Sequence, residues 1–157
     1  MLTDWLSEAV ADDPCNPLAT RILELLLASV VASPADEGSA ASEGADHVER
    51  LLPALERLRL DPAATVPLEE AAAVCSLSPA YFSRRFKRVF GMNFTEYTRA
   101  YRLHLAARRI LSSGDALSHI AYGVGFSSAS HFTALFHGRF GMTPRDYRRS
   151  SRQRARH

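Results

Sequence analysis

Cysteine is almost absent: Cys15 and Cys75 are the only two in 157 residues, sixty positions apart. With no Cys-x-x-Cys and no third ligand they offer neither a zinc cluster nor a disulfide framework, and such usage fits a reducing compartment. No cofactor is expected. Long apolar runs are missing as well. The most apolar stretch, Leu18–Ala32, carries Arg21 and Glu24 and is shorter than the ~20 residues a membrane span needs, so no membrane is expected among the partners. The amino terminus has Asp4 and no early Lys or Arg, so a signal peptide is not expected. Lysine occurs once, as Lys87, which leaves almost all positive charge to arginine.

Positive charge is also missing from one half of the chain. Residues 1–65 hold four arginines against twelve acids, a balance of −8, whereas residues 66–157 hold fifteen basic side chains against five acids, a balance of +10. The net charge of +2 hides this polarity, which points to a polyanion meeting only the C-terminal part. The apolar fraction of 46% suffices for a packed core.

One pattern occurs twice. Phe82-x3-Phe86-x3-Phe90-Gly91-Met92 with Tyr97 is matched fifty residues later by Phe132-x3-Phe136-x3-Phe140-Gly141-Met142 with Tyr147. Six aligned positions are identical and five of them are large and apolar, so one small helical unit is built twice. Two copies at fixed separation suit a periodic ligand, of which DNA is the obvious case.

The chain divides into an N-terminal helical segment at 1–33, a linker at 34–46, a helical domain at 47–149 and a basic tail at 150–157. In the first, Leu18, Ile22, Leu25 and Leu26 follow helical spacing, Asn16 can cap and Pro17 can sit in the first turn. That helix is apolar round much of its circumference and needs a partner surface, so either it forms a homodimer through Leu18–Ala32 or it has lost the domain it once docked on. The linker has no large apolar residue and cannot bury a face. Beyond it, helices follow one another without strand alternation: 51–60, 68–74, 79–90 after a Ser78-Pro79 start, 95–112, 115–124, and one from Ser127 or Ser128 to Phe140. The fold class is therefore all-α, with a short helix, a tight turn and a second helix occurring twice, around Cys75–Ser78 and Gly125–Ser128. The 95–112 helix joins the two units; eighteen residues give about 27 Å, and the turns at its ends bring the second helices near the ~34 Å of one DNA turn.

If Phe82, Phe86 and Val89 face inward, the opposite face of the 79–90 helix presents Ala80, Ser83, Arg84 and Lys87, with Arg88 beside them. Small residues permit close approach to a major groove, Arg84 can make the bidentate contact to guanine, and Lys87 or Arg88 can reach a phosphate. In the second copy the outward set is Ala129, Ser130, Thr133, Ala134 and His137. Ala134 stands where Arg84 stood and His137 where Lys87 stood, so this copy is expected to contribute backbone or thymine-methyl contacts. His131 reads as a polar surface group and His119 as an exposed helix residue. The arginines at 145, 148, 149, 152, 154 and 156 can add phosphate contacts or form a plain solvated end.

These residues resemble a known family. Leu68-x-x-Ala71-Ala72, Leu77-Ser78-Pro79, Tyr81-Phe82-Ser83-Arg84, Phe86-Lys87-Arg88 and Phe90-Gly91 resemble the first helix-turn-helix of AraC/XylS-type transcription regulators. Ile120-Ala121-x-x-Val124-Gly125-Phe126-Ser127, Ser130-x-Phe132, Phe136, Phe140-Gly141-x-x-Pro144-x-x-Tyr147-Arg148 resembles the second, and Arg102 and Ala106 match the connecting helix. The departures are Ser76 for the usual turn glycine, His119 for the usual glutamate, and Ala134 and His137 for basic residues. The resemblance, over roughly 50–149, implies a bacterial, cytoplasmic, sequence-specific binder of double-stranded DNA, usually an activator that contacts RNA polymerase, and not an enzyme. Residues 1–46 hold nothing that could form the sensing domain usual in the family, so a short or truncated member is expected. The alternative is a truncated regulator acting as a protein-interaction partner of a full-length relative, with weak DNA binding of its own.

Overall fold

The computed structural model describes residues 48–154. The expected helix at Leu18–Ala32 with its dimer role, the 34–46 linker and the last three residues of the basic tail lie outside the described residues. Seven helices and no strand occur among the described residues: α1 Leu52–Leu60, α2 Leu68–Val74, α3 Pro79–Phe90, α4 Phe94–Ser112, α5 Leu117–Gly123, α6 Ala129–Phe140 and α7 Pro144–Arg154. The all-α expectation holds. The described residues form two compact units, one of 48–56 and Leu68–Phe94, the other of Arg57–Pro67 and 95–154.

In the first unit α2 packs against α3. The α2 helix ends in a Schellman turn, in which Leu77 N–H donates to Ala72 O at 3.0 Å and Ser76 N–H to Ala73 O at 2.9 Å. Ser76 takes the left-handed conformation there, with φ 55°. Ser78 then caps α3, its hydroxyl accepting from Tyr81 N–H, with Pro79 in the first turn. Gly91, at φ 72°, ends α3 by donating to Lys87 O. Phe82 and Phe86 are fully buried, and Phe94 meets both edge-on at 5.5 and 5.3 Å between ring centroids.

The second unit repeats the device. Phe126 N–H donates to Ala121 O and Gly125 N–H to Tyr122 O, both at 3.0 Å, and Gly125 takes the left-handed place at φ 91°. Ser128 caps α6 through His131 N–H, and Gly141 ends it at φ 72°. One residue more separates the left-handed position from the cap here, Ser127, so the doubled pattern is one scaffold with two turn lengths. Ile120, Val124, Phe126, Phe132 and Phe136 form one buried cluster with Leu103, Ala106 and Ile110 of α4.

Two elements differ from expectation. The α5 helix begins at Leu117 rather than Asp115: the Asp115 carbonyl is taken by Arg148 Nη2 at 2.8 Å, which holds that residue ahead of the helix. The α7 helix has no counterpart among the expected helices and continues through Arg154, past the 149/150 boundary expected for a basic tail. Its start is legible in retrospect. Thr143 and Asp146 form a reciprocal cap, Thr143 Oγ1 donating to Asp146 Oδ2 at 2.7 Å and accepting from Asp146 N–H, with Pro144 between them.

Candidate nucleic-acid interface

The α3 helix turns one face inward and the other out, as its spacing dictates. Phe82, Phe86 and Val89 are buried, while Ala80, Arg84, Lys87 and Arg88 are exposed and Ser83 is half-buried. Ala80, Arg84 and Lys87 recur at i, i+4 and i+7, so they form one stripe with Arg88 beside it. Small side chains at the helix start and cations further along suit close approach to a groove and its phosphate walls.

On α6 of the other unit, Ser130, Thr133, Ala134 and His137 are exposed and Ala129 is half-buried. Thr133 spends its hydroxyl proton on the carbonyl of Ala129 at 2.8 Å, so it offers outward a methyl group and acceptor lone pairs only. Arg139, which the outward set omitted, is also exposed on α6. Its Nη2 lies 3.2 Å from His104 Nε2, and the His104 ring meets Phe140 edge-on at 5.4 Å. Thus α3 presents three cations and α6 one arginine and two histidines, His131 and His137.

The larger omission concerns arginines that serve the protein itself. Arg85 lies on α3 one residue from Arg84 but is buried at 6% exposure. Arg102 of α4 donates from Nε to Pro62 O at 2.7 Å, from Nη2 to Ala64 O at 2.7 Å and from Nη1 to Gly125 O at 3.3 Å. Burial works against its charge and Asp61 supports it. Seven residues on, Arg109 Nη1 donates to Gly123 O at 3.1 Å. Arg148 bonds the carbonyls of Ile110 and Asp115, a third role beside the phosphate contact and the solvated end expected of the C-terminal arginines. Helix C-termini leave carbonyls unpaired, and a guanidinium is the side chain able to collect several. Nothing in the residue spacing separates these arginines from the outward ones, apart from the family matches of Arg102 and Arg148.

Cys75 is buried, and desolvation raises its thiol above the ordinary range against a backbone hydrogen bond at Ala54. Among the described residues no three His, Cys, Asp or Glu side chains are grouped to hold a metal, and no helix is long and apolar enough to cross a membrane.

Residues 71–150, half of the chain, match the model of a helix-turn-helix domain family. The chain belongs to the AraC family of helix-turn-helix regulators. Among AraC-type relatives, it is 32% identical over 152 residues to the transcriptional regulator GlxA of Rhizobium meliloti strain 1021, covering 94% of this chain and 46% of that one. It is 32% identical over 112 residues to the transcriptional activator RhaS of Klebsiella pneumoniae strain 342, covering 71% of this chain and 40% of that one. The chain thus spans less than half the length of these curated relatives. Among solved structures, the DNA-binding domain of the global transcriptional factor AdpA, crystallised with a target DNA, superposes with a TM-score of 0.60 at 27% identity, covering 69% of this chain and 94% of that one.

Proposed function

We propose that the chain is a bacterial, cytoplasmic, sequence-specific DNA-binding transcription regulator in which α3 and α6 enter successive major grooves, α3 reading base edges and α6 adding backbone or methyl contacts. The observation that carries this reading is the α3 stripe of Ala80, Arg84 and Lys87, exposed on a helix whose opposite face is fixed by Phe82 and Phe86. The AdpA domain, similar in fold and crystallised on DNA, supports it.

The reading extends to activation through contact with RNA polymerase, which the name of RhaS supports, and to a homodimer through Leu18–Ala32. Selection of binding sites from a random duplex pool with the full chain, followed by footprinting, tests the core of it. The expected result is a motif with two protected blocks about one helical turn apart, the block under α3 carrying the stronger sequence preference. Recovery of sequences no different from the starting pool would overturn it. Transcription from a template bearing that motif should rise when the chain is added to RNA polymerase, and Leu26→Asp should shift the sedimenting species from dimer to monomer.

A further inference from the structure

Tyr81 and Arg85 form a pair that neither the core nor the reading face accounts for. Arg85 Nη1 donates to the Tyr81 phenol oxygen at 2.7 Å across one helical turn, and the guanidinium carbon stands 5.6 Å from the ring centroid. The arginine is 6% exposed and the tyrosine 41%. A buried cation therefore grips a surface side chain and fixes where its hydroxyl points. The phenol oxygen accepts from Arg85, and among the described residues no acceptor takes its proton. A hydroxyl polarised by a charged donor on the same oxygen is a stronger donor itself. On the helical wheel Tyr81 lies about 100° from Ala80, beside Arg88, at the flank of the stripe rather than its centre. The flank of a helix in a major groove faces the groove wall, which is phosphate.

We infer that Tyr81, held by Arg85, donates its phenol proton to a DNA phosphate and so fixes the register of α3 in its groove; the inference rests on the DNA reading proposed above. The second unit lacks the pair. The matching positions are His131 and a half-buried Leu135, so the device belongs to the first unit alone, the one that carries Arg84 and Lys87. Arg85 is a positioning residue, acting through Tyr81.

The test uses the full chain and a duplex recovered by selection. Tyr81→Phe keeps the ring and its stacking on Arg85 and removes only the hydroxyl. It should weaken binding about five- to tenfold, equally on selected and random duplexes, with the salt slope unchanged because no charge is lost. The buried Arg85 donor loses an acceptor, so the melting temperature should fall and affinities are compared well below it. Arg85→Leu, which copies the second unit, should weaken binding similarly, and the double variant should add little. Replacing single phosphates by neutral methylphosphonates should reveal one position that weakens the parent but not Tyr81→Phe. Equal affinity of Tyr81→Phe and parent, or identical methylphosphonate profiles, would overturn the inference while leaving the DNA reading standing. Failure of the parent chain to bind any duplex would remove both.

Discussion

One backbone position is filled differently in the two turns. Ser76 and Gly125 both take left-handed φ, at 55° and 91°, as the residue after a helix C-cap in a Schellman turn does. For an L-residue that conformation costs ~1–2 kcal/mol. Ser76→Gly should therefore stabilise the fold by ~0.5–1 kcal/mol, the gain being trimmed by the greater freedom of glycine in the unfolded chain. The reciprocal change should behave oppositely. A Cβ on Gly125 would stand 2.9 Å from both Ala63 Cα and Arg102 Cζ, so Gly125→Ala combines the left-handed cost with a clash and should destabilise by more than ~2 kcal/mol. Urea unfolding of both variants checks the pair, and equal signs would refute the account. Arg102 belongs to the same arrangement. Arg102→Ala would strip partners from Pro62, Ala64 and Gly125 carbonyls and should cost about 2–3 kcal/mol, with Arg102→Lys recovering less than half because a point charge cannot replace the fork.

At the scale of helices, the Phe-x3-Phe-x3-Phe-Gly pattern states the period, the buried face and the stop signal at once, and α3 and α6 are legible within a residue. Ser78-Pro79 marks its helix start equally well. The equivalent start of α7, Thr143-Pro144 with Asp146, is hidden in the sequence because the dense arginines after it read as a charged tail; polar composition masks a cap. The inward arginines were illegible for a different reason. Arg84 and Arg85 are chemically identical neighbours, and only the helix phase relative to a packed core sends one to solvent and the other to 6% exposure. The α4 helix carries a titratable example of such burial. Tyr97 is 2% exposed, and burial, followed by the nearby Tyr101, pushes its phenol far above the ordinary value near 10. The folded state thus holds a proton that the unfolded chain releases. The stability it contributes is intact below pH ~10 and is lost as pH rises beyond. Unfolding midpoints should fall between pH 10 and 12 in the parent, and Tyr97→Phe should flatten that fall.

For the whole molecule, charge count and DNA affinity part company. Fifteen basic side chains follow residue 65, yet Arg85, Arg102, Arg109 and Arg148 donate to the protein's own oxygens. Counterion release depends on phosphates neutralised, with a slope near −0.9 per contact, so the salt slope should fall short of what the charge count implies. The remaining cations should then separate into two classes. Arg84→Ala removes a candidate base contact and should cost ~1–3 kcal/mol and relax sequence choice at one position. Neutralising Arg152, Arg154 and Arg156 to Gln tests the other class without cutting α7, which a deletion from residue 150 would do, since Ser150 sits inside that helix and bonds Tyr147 O. If these three touch phosphates, the triple variant loses up to ~2.7 from the slope, bound sequences stay the same, and affinity drops alike on selected and random duplexes. A changed sequence preference in the triple variant, or an unchanged one in Arg84→Ala, would mean that discrimination resides in the tail and not on α3.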